Sequence, residues 1–149
     1  MHNKEKLYQH CRALLQIRIQ QARAAMDAAQ KDANSETKSS AGDKYETGRA
    51  MAHLDKEMHT KRHAIALSEL YKLETINLSE VSETVSFGSL VTTDIGIYFI
   101  AVGLGVLQLE GQTYKVISTD SPIGQILLGL EEEDEAEFRG KQIQIFSIE

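Results

Sequence analysis

Apolar side chains in the first half of the chain recur at alternating steps of three and four residues, which places them on one face of an α-helix. From Lys4 to about Ala33 this face consists of Tyr8, Cys11, Leu15, Ile19, Ala22, Met26, Ala29 and Ala33. No proline interrupts the segment, and strong helix formers fill many of the other positions. Alanine dominates the face from Ala22 onwards, so we expect a partner helix to come close there and the structure to be thin.

A second helix is predicted from about Asp43 or Lys44 to Leu73, with a less regular apolar face. That face comprises Met51, Leu54, Met58, Ile65, Leu70 and Leu73. Each helix of about thirty residues would be roughly 45 Å long, and two such helices joined by a short connection pack antiparallel as a hairpin. Because the pair has little apolar surface to bury inside a globule, we predict a projecting coiled coil with residues 34–46 at its exposed tip.

The pattern changes after about residue 75, where glycine becomes frequent and apolar runs shorten to strand length. Six strands are predicted, at 89–93, 96–103, 105–110, 112–118, 135–138 and 141–148. The pairs Glu-Gly at 110–111 and Arg-Gly at 139–140 are typical of hairpin turns. Ser121 followed by Pro122 is typical of a helix start, so a short helix is predicted through Leu128.

The chain therefore divides into two parts, and the predicted fold class is α+β. Residues 1–75 form an antiparallel α-helical coiled-coil hairpin, and residues 76–149 form an antiparallel β domain with one short helix. The first part holds 13 Lys/Arg and 10 Asp/Glu, a net charge of +3, and the second holds 3 Lys/Arg and 12 Asp/Glu, a net charge of −9. This asymmetry suggests a partner with its own charge pattern. The basic part lacks a dense Lys/Arg block, so DNA binding is expected to be weak at most.

Three features of the chain indicate the compartment in which the protein is found. No run of about 18 apolar residues is present, and the first residues lack the basic-then-apolar order of a secretory signal. Cys11 is the single cysteine, which excludes an intrachain disulfide and fits a reducing environment. We therefore expect a cytoplasmic protein with no membrane association, in which Cys11 is a buried side chain.

Two carboxylates, Asp43 and Glu46, lie three residues apart at the predicted tip. Asp followed by Glu at this spacing is a signature of a helix start, where both side chains accept hydrogen bonds from free backbone amides. At an exposed tip the same two groups could instead coordinate a divalent cation, and the spacing alone leaves both interpretations open. His59 and His63 have no third ligand nearby, so a solvated helix face is favoured over a metal site there.

Several segments of the second part resemble the C-terminal domain of the Gre transcript-cleavage factors (GreA/GreB), which has an FK506-binding-protein-like (FKBP-like) fold. The most specific is SPIGQILLG at 121–129, where that family has a serine-proline pair, a small helix and a closing glycine; KQIQIFSIE at 141–149 is also similar. The tip AGDKYET is similar to the family pattern of Gly-Asp, two variable residues and Glu, onto which Gly42, Asp43 and Glu46 match. The resemblance covers essentially the full chain.

A Gre-like protein inserts its hairpin into the secondary channel of bacterial RNA polymerase and is not itself an enzyme. The resemblance implies that Asp43 and Glu46 complete the coordination of a weakly held Mg²⁺ of the polymerase and so stimulate cleavage of backtracked RNA. The chain would hold no cofactor of its own. The residues implied to contact polymerase, or the RNA 3′ end at the tip, are Gly42, Lys44, Arg49, Ser121, Pro122, Ile123 and Gly124.

The tip departs from the Gre pattern after Glu46, since Asn, Ala, Glu and Tyr of that pattern are replaced by Thr47, Gly48, Arg49 and Ala50. A cation at Arg49 in place of an acid favours an alternative in which the hairpin blocks or remodels the channel without cleavage. A peptidyl-prolyl isomerase and a structural adaptor are further alternatives. The isomerase would need an aromatic-lined pocket, and the aromatic residues of the second half are few. The acidic segment 129–138 suits either a solvated turn or a docking surface for a basic rim of the polymerase.

Overall fold

The computed structural model describes residues 2–36 and 42–149, with all side chains in these ranges except those of residues 2, 35–36 and 42–45. In chain order the elements are α1 (His2–Glu36), α2 (Gly42–Glu74), β1 (Leu90–Thr93), β2 (Gly96–Ala101), β3 (Gly105–Leu109), β4 (Gln112–Ser118), α3 (Pro122–Leu127), β5 (Glu135–Phe138) and β6 (Lys141–Ile148). The fold class is α+β, as predicted. The chain forms two compact units: a helical unit, Arg12–Tyr71, and a sheet unit, Met1–Cys11 with Lys72–Glu149.

Within the helical unit, α1 and α2 run antiparallel. Lys56 donates a hydrogen bond to the Gln30 side chain, and Arg18 interacts electrostatically with Glu69. A residue further along α1 thus contacts a residue earlier in α2, which is the relation expected of a hairpin. Both helices match the predicted segments to within a few residues. Neither of them, over the part of the chain that the structure describes, is long and apolar enough to span a membrane.

The predicted face of α1 is the one that becomes buried. Leu15 and Ala22 are buried, as are Ala29 and Ala33, while Ile19 and Met26 are half-buried. The steps of three and four along this face keep it on one side of the helix over six turns. The sequence therefore identified the α1 face correctly.

The predicted apolar face of α2 is wrong at its first four positions. Met51, Leu54, Met58 and Ile65 are exposed, at 62%, 65%, 41% and 58%. The sheltered face is instead formed by Ala52, Lys56, His59, His63, Ala66, Leu70 and Leu73, of which Ala52, Ala66 and Leu73 are buried. Steps of four and three run through this set without interruption. Ile65 and Leu70 are five residues apart and so lie about 140° apart around the helix. A single neighbouring helix therefore cannot contact both of them.

The alanine positions do not close the space between the helices. A groove of about 450 Å³ lies between α1 and α2, with Ala22 and Ala25 on one side and Ala66 on the other. Arg18 and Arg62 also line this groove. The small side chains thus leave an open groove at this level, where the sequence had predicted close contact.

The sheet unit contains one six-stranded sheet in the order β3-β4-β2-β1-β6-β5. All six predicted strands are present. The prediction of an antiparallel domain is wrong at one pair, because β2 and β4 run parallel. The chain reverses after β2, and β3 then pairs with β4 across the turn at Glu110–Gly111 instead of with β2. Two reversals return β4 to the direction of β2, and the exposed strand β3, with Val106 63% exposed, is left at the edge.

Both predicted hairpin turns are confirmed. Glu110 and Gly111 have φ of 51° and 78°, and Arg139 and Gly140 have φ of 52° and 78°. Positive φ at both central residues is the geometry of the two-residue turn whose twist matches that of the flanking strands. The second of these turns joins β5 to β6, whose register pairs Phe138 with Lys141.

The first ten residues of α1 belong to the sheet unit, whereas the predicted boundary between the two parts lies at residue 75. Leu7 and Cys11 are fully buried. Lys4 donates to the Glu149 carbonyl oxygen at 3.1 Å, and Lys6 pairs with Glu110 at 3.0 Å. Burial lowers the pKa of Lys4, an effect that the charges of Glu149 and Glu80 oppose.

Cys11 should be an unreactive thiol in the folded protein. Burial raises its pKa to about 12, so its reactive thiolate is scarce at pH 8 and its sulfur is inaccessible. We expect labelling by a disulfide reagent at pH 8 to be at least about 100-fold slower than in the urea-unfolded chain. A Cys11→Ser, Ser68→Cys variant, with its thiol on the exposed surface of α2, is the rapidly labelled control; equally fast labelling of native Cys11 would contradict the prediction.

Candidate functional site

The hairpin connection lies between the end of α1 at Glu36 and the start of α2 at Gly42. Residues 37–41 and the side chains of Gly42, Asp43 and Lys44 lie outside the described residues, so the predicted roles of these three residues stay predictions. The backbone places Asp43 as the second residue of α2. A capping Asp precedes the first helical residue, although helix boundaries are defined only to within one or two positions.

Glu46 and Arg49 are both exposed, three residues apart on α2. Residues at this spacing are neighbours on a helix surface, and opposite charges there attract by about 0.2–0.5 kcal/mol. The Glu46 carboxylate is therefore accessible to an external cation, with a guanidinium one helical turn away. Among the described side chains, no group of three or more His, Cys, Asp or Glu residues is arranged to hold a metal ion.

The segment Ser121 to Gly124 forms the start of α3. Ser121 has extended backbone geometry, and its Oγ accepts a hydrogen bond from the Gly124 amide at 3.1 Å, which makes it the N-cap. The same Oγ donates to the Ser118 carbonyl at 2.7 Å. Pro122 occupies the first helical position, where its missing amide costs nothing. The short helix predicted from this pattern is thus confirmed, together with its cap.

Gly124 is required by a close approach of two backbone segments. A Cβ at this position would lie 2.3 Å from the Ser118 carbonyl oxygen and 2.7 Å from Ser121 Oγ. The residue is buried, and Ile123 packs against the core cluster that contains Leu127. Of the four residues in this segment that were predicted to contact a partner, only Pro122 is exposed. Ser121, Ile123 and Gly124 have structural roles that are sufficient to explain them.

The aromatic residues of the sheet unit are used in packing. Tyr98, Phe99 and Tyr114 are buried at 3%, 0% and 4% exposure, and Phe138 packs against the core cluster. Phe146 is 48% exposed on β6. This distribution gives no support to the isomerase alternative, since a proline-binding pocket would need several of these rings on one accessible concave surface.

The acidic segment after α3 is an ordered connection held by its own carboxylates. Asp134 accepts a hydrogen bond from the Glu131 amide at 2.8 Å, and Glu132 accepts one from the Ile148 amide at 3.2 Å. Glu133 and Glu135 are exposed. The segment is therefore both a structured turn before β5 and an accessible negative surface, which are the two interpretations that its sequence allowed.

Lys4 is a buried polar residue that the sequence pattern did not predict. It is 5% exposed and lines a small cavity of about 190 Å³ together with Glu80, Ser82, Ser86 and Ser89. The available signal was its position three residues before Leu7 and seven before Cys11, on the face of α1 that enters the core. A lysine at a core-facing position is sheltered along its stem and requires a polar partner for its amine.

Comparison with known proteins gives two similar solved structures. A structure of the transcription factor Gfh1 is 18% identical and is similar over 92% of this chain and 92% of its own, with a TM-score of 0.39. Gfh1 from Thermus aquaticus is 19% identical over 91% of this chain and 92% of its own, with a TM-score of 0.34. No model of a protein family and no curated protein matches the chain. Scores this low do not establish a common fold, so the proposals below are drawn from the residues and their geometry.

The close approach at Gly124 leads to a stability prediction. Gly124→Ala should lower the free energy of unfolding by about 1–3 kcal/mol, because the backbone around Ser118 must move to admit a methyl group. Urea unfolding followed by circular dichroism measures the change. Gly103→Ala is the matched control, since nothing lies within 4 Å of a Cβ added there. Equal stability of the two variants would show that α3 can shift without cost.

Proposed function

We propose that this protein is a Gre-like transcription factor that binds bacterial RNA polymerase and enters its secondary channel with the α1–α2 hairpin. The observation that carries the proposal is the antiparallel pair of long helices, which leaves Glu46 and Arg49 exposed beside the hairpin connection. The same chain forms a sheet whose short helix begins at the Ser121 cap, the element that the Gre resemblance assigns to this segment.

The chemistry proposed for the tip is assistance to a metal that the polymerase holds. Phosphodiester hydrolysis by a two-cation site requires a second ion to be fixed and a water to be oriented. Mg²⁺ accepts one or two carboxylates and keeps several waters, so Asp43 and Glu46 would be enough to complete its shell. On this proposal the chain has no hydrolytic activity alone and shortens backtracked RNA only in the presence of polymerase.

Replacing both tip carboxylates should abolish cleavage and preserve binding. With stalled elongation complexes and Mg²⁺, Asp43→Ala with Glu46→Ala should reduce the stimulated cleavage rate by about 10- to 100-fold, because the ion loses two ligands. The length of the RNA, resolved on a gel over time, is the readout. Affinity for polymerase, measured in parallel by pull-down, should change little, since α1 and α2 are retained.

Glu57→Ala is the matched control, because it removes an exposed carboxylate from α2 well away from the tip. It should cleave like the unmodified chain. The cleavage proposal fails if the unmodified chain binds polymerase and leaves the RNA intact. The wider proposal fails if the unmodified chain does not bind polymerase at all.

A second candidate function is a channel regulator that blocks or remodels the polymerase without cleavage. The exposed guanidinium of Arg49, one turn from Glu46, favours it because a cation near the tip opposes recruitment of Mg²⁺. In this case the unmodified chain would inhibit nucleotide addition, and the double alanine variant at 43 and 46 would keep most of that inhibition.

Reversing the charge at position 49 tests the influence of the guanidinium. Arg49→Glu should increase the cleavage rate by about three- to tenfold at low salt, because it replaces repulsion of the metal by attraction, and the gain should shrink as salt screens it. Arg23→Glu, an exposed site on α1, is the control and should leave the rate unchanged. An unaltered rate for Arg49→Glu at low salt would show that this side chain has no part in metal recruitment.

A further inference from the structure

The surface of α2 carries a row of large apolar side chains that remain exposed in the hairpin, although one of them, Ile65, also borders the groove between α1 and α2. We call Met51, Leu54, Met58 and Ile65 the outer stripe; each is between 41% and 65% exposed. Their spacings of three, four and seven residues are those of the a and d positions of a coiled-coil heptad. The stripe lies roughly 130° around α2 from the face that is sheltered by α1. Lys61 interrupts the stripe between Met58 and Ile65, but a row of exposed apolar side chains this long often marks a surface that binds a partner.

Charges on both sides of the outer stripe restrict what can cover it. Asp55 and Arg62 flank it on one side, Glu57 flanks it on the other, and Lys61 occupies the heptad position between Met58 and Ile65; all four are exposed. A partner surface of a single charge sign would meet repulsion from half of these groups. A matching partner surface therefore has an apolar stripe of its own, flanked by charges of both signs. Along that stripe its acidic and basic groups follow each other in the order opposite to those of α2.

We propose that the outer stripe binds a second copy of this chain, with the two α2 helices antiparallel. In the register centred between His59 and Thr60, Leu54 of each copy lies opposite Ile65 of the other. These two symmetric contacts remove four large side chains from water, Leu54 and Ile65 of each copy. The dimer uses only residues of the helical unit and goes beyond the function proposed above. Because it covers α2, a chain must leave the dimer before its hairpin can enter the polymerase channel.

The same register pairs the flanking charges. Asp55 of one copy lies beside Arg62 of the other, and the Lys61 ammonium reaches Glu57 across the opposite edge. By symmetry each pair occurs twice, so an antiparallel dimer forms four contacts between opposite charges. A parallel dimer would instead place Lys61 directly against Lys61 within the apolar layer, where like charges are costly.

Association of the purified chain is the first test. Sedimentation equilibrium should give an average mass that rises from 16.6 kDa towards twice that value, with a dissociation constant of about 10–100 μM. Met58→Glu should increase that constant at least about 100-fold, because a charge is added to both copies at the centre of the interface. Val106→Glu, a change at a valine of the sheet unit that is 63% exposed, is the control and should dimerise normally.

A charge exchange tests the specific pairing. Asp55→Arg and Arg62→Asp should each weaken the dimer about tenfold, since each change creates like-charge contacts at two symmetric places. The double variant restores opposite charges and should recover most of the affinity. Circular dichroism of each variant verifies that the helices are retained.

Disulfide trapping distinguishes the two orientations. In a Cys11→Ser background, a mixture of Leu54→Cys and Ile65→Cys chains should form the mixed disulfide under mild oxidation. Neither variant alone should cross-link efficiently, because like positions lie roughly 16 Å apart along the antiparallel axis. A parallel dimer would give the reverse result, with each variant cross-linking to itself.

The proposal is overturned by a mass of 16.6 kDa up to about 1 mM protein, or by dimerisation that Met58→Glu leaves unchanged. It is also overturned if the chain is monomeric and Met58→Glu only weakens binding to polymerase, because the stripe would then serve that partner. Since none of the association experiments contains polymerase, their failure is separate from failure of the proposed function.

Discussion

A straight helix can turn only one stripe of side chains towards a single neighbour, and the organisation of the helical unit depends on which stripe α2 uses. Two candidate stripes run along α2, one from Ala52 to Leu73 and one from Met51 to Ile65. The first is continuous at steps of four and three, and it includes both Ala66 and the buried Leu73. Once this stripe faces α1, the outer stripe must remain exposed.

The same choice explains the groove between the helices. The stripe that meets α1 presents alanine and polar residues, so the contact is made partly by hydrogen bonds such as that from Lys56 to Gln30. Ala22 and Ala66 have only methyl side chains, and an opening of about 450 Å³ remains beside them, which the longer side chains of Arg18 and Arg62 also line. The helical unit is therefore held by modest apolar contacts, with its largest exposed apolar side chains on the outer surface.

In the sheet unit, the segment from Ser118 to Gly124 connects β4 to α3, a helix that packs on the core cluster. The Ser121 hydroxyl donates a hydrogen bond to the Ser118 carbonyl oxygen and accepts one from the Gly124 amide. Gly124 permits the close approach that brings these groups together, because it has no Cβ. The motif that most resembles the Gre family is thus explained first by packing. Functional contacts of this unit with a polymerase would fall on exposed residues such as Pro122 and the acidic connection before β5. The hairpin carries an accessible carboxylate at Glu46, one helical turn from the guanidinium of Arg49.

The sequence by itself determined the two long helices, the six strands, the two turns and the capped helix α3. Each of these depends on local periodicity or on the conformational preference of a few adjacent residues, such as Ser121 and Pro122. It also predicts a role for the acidic pair Asp43 and Glu46 through the resemblance, and that role stays a prediction. Only the tertiary structure decided which side of α2 is sheltered, that β4 returns parallel to β2, and that the first turns of α1 join the sheet unit through Lys4. These outcomes depend on which surfaces meet, and a periodic pattern fixes the angle of a stripe around its own helix without specifying the neighbour that will cover it.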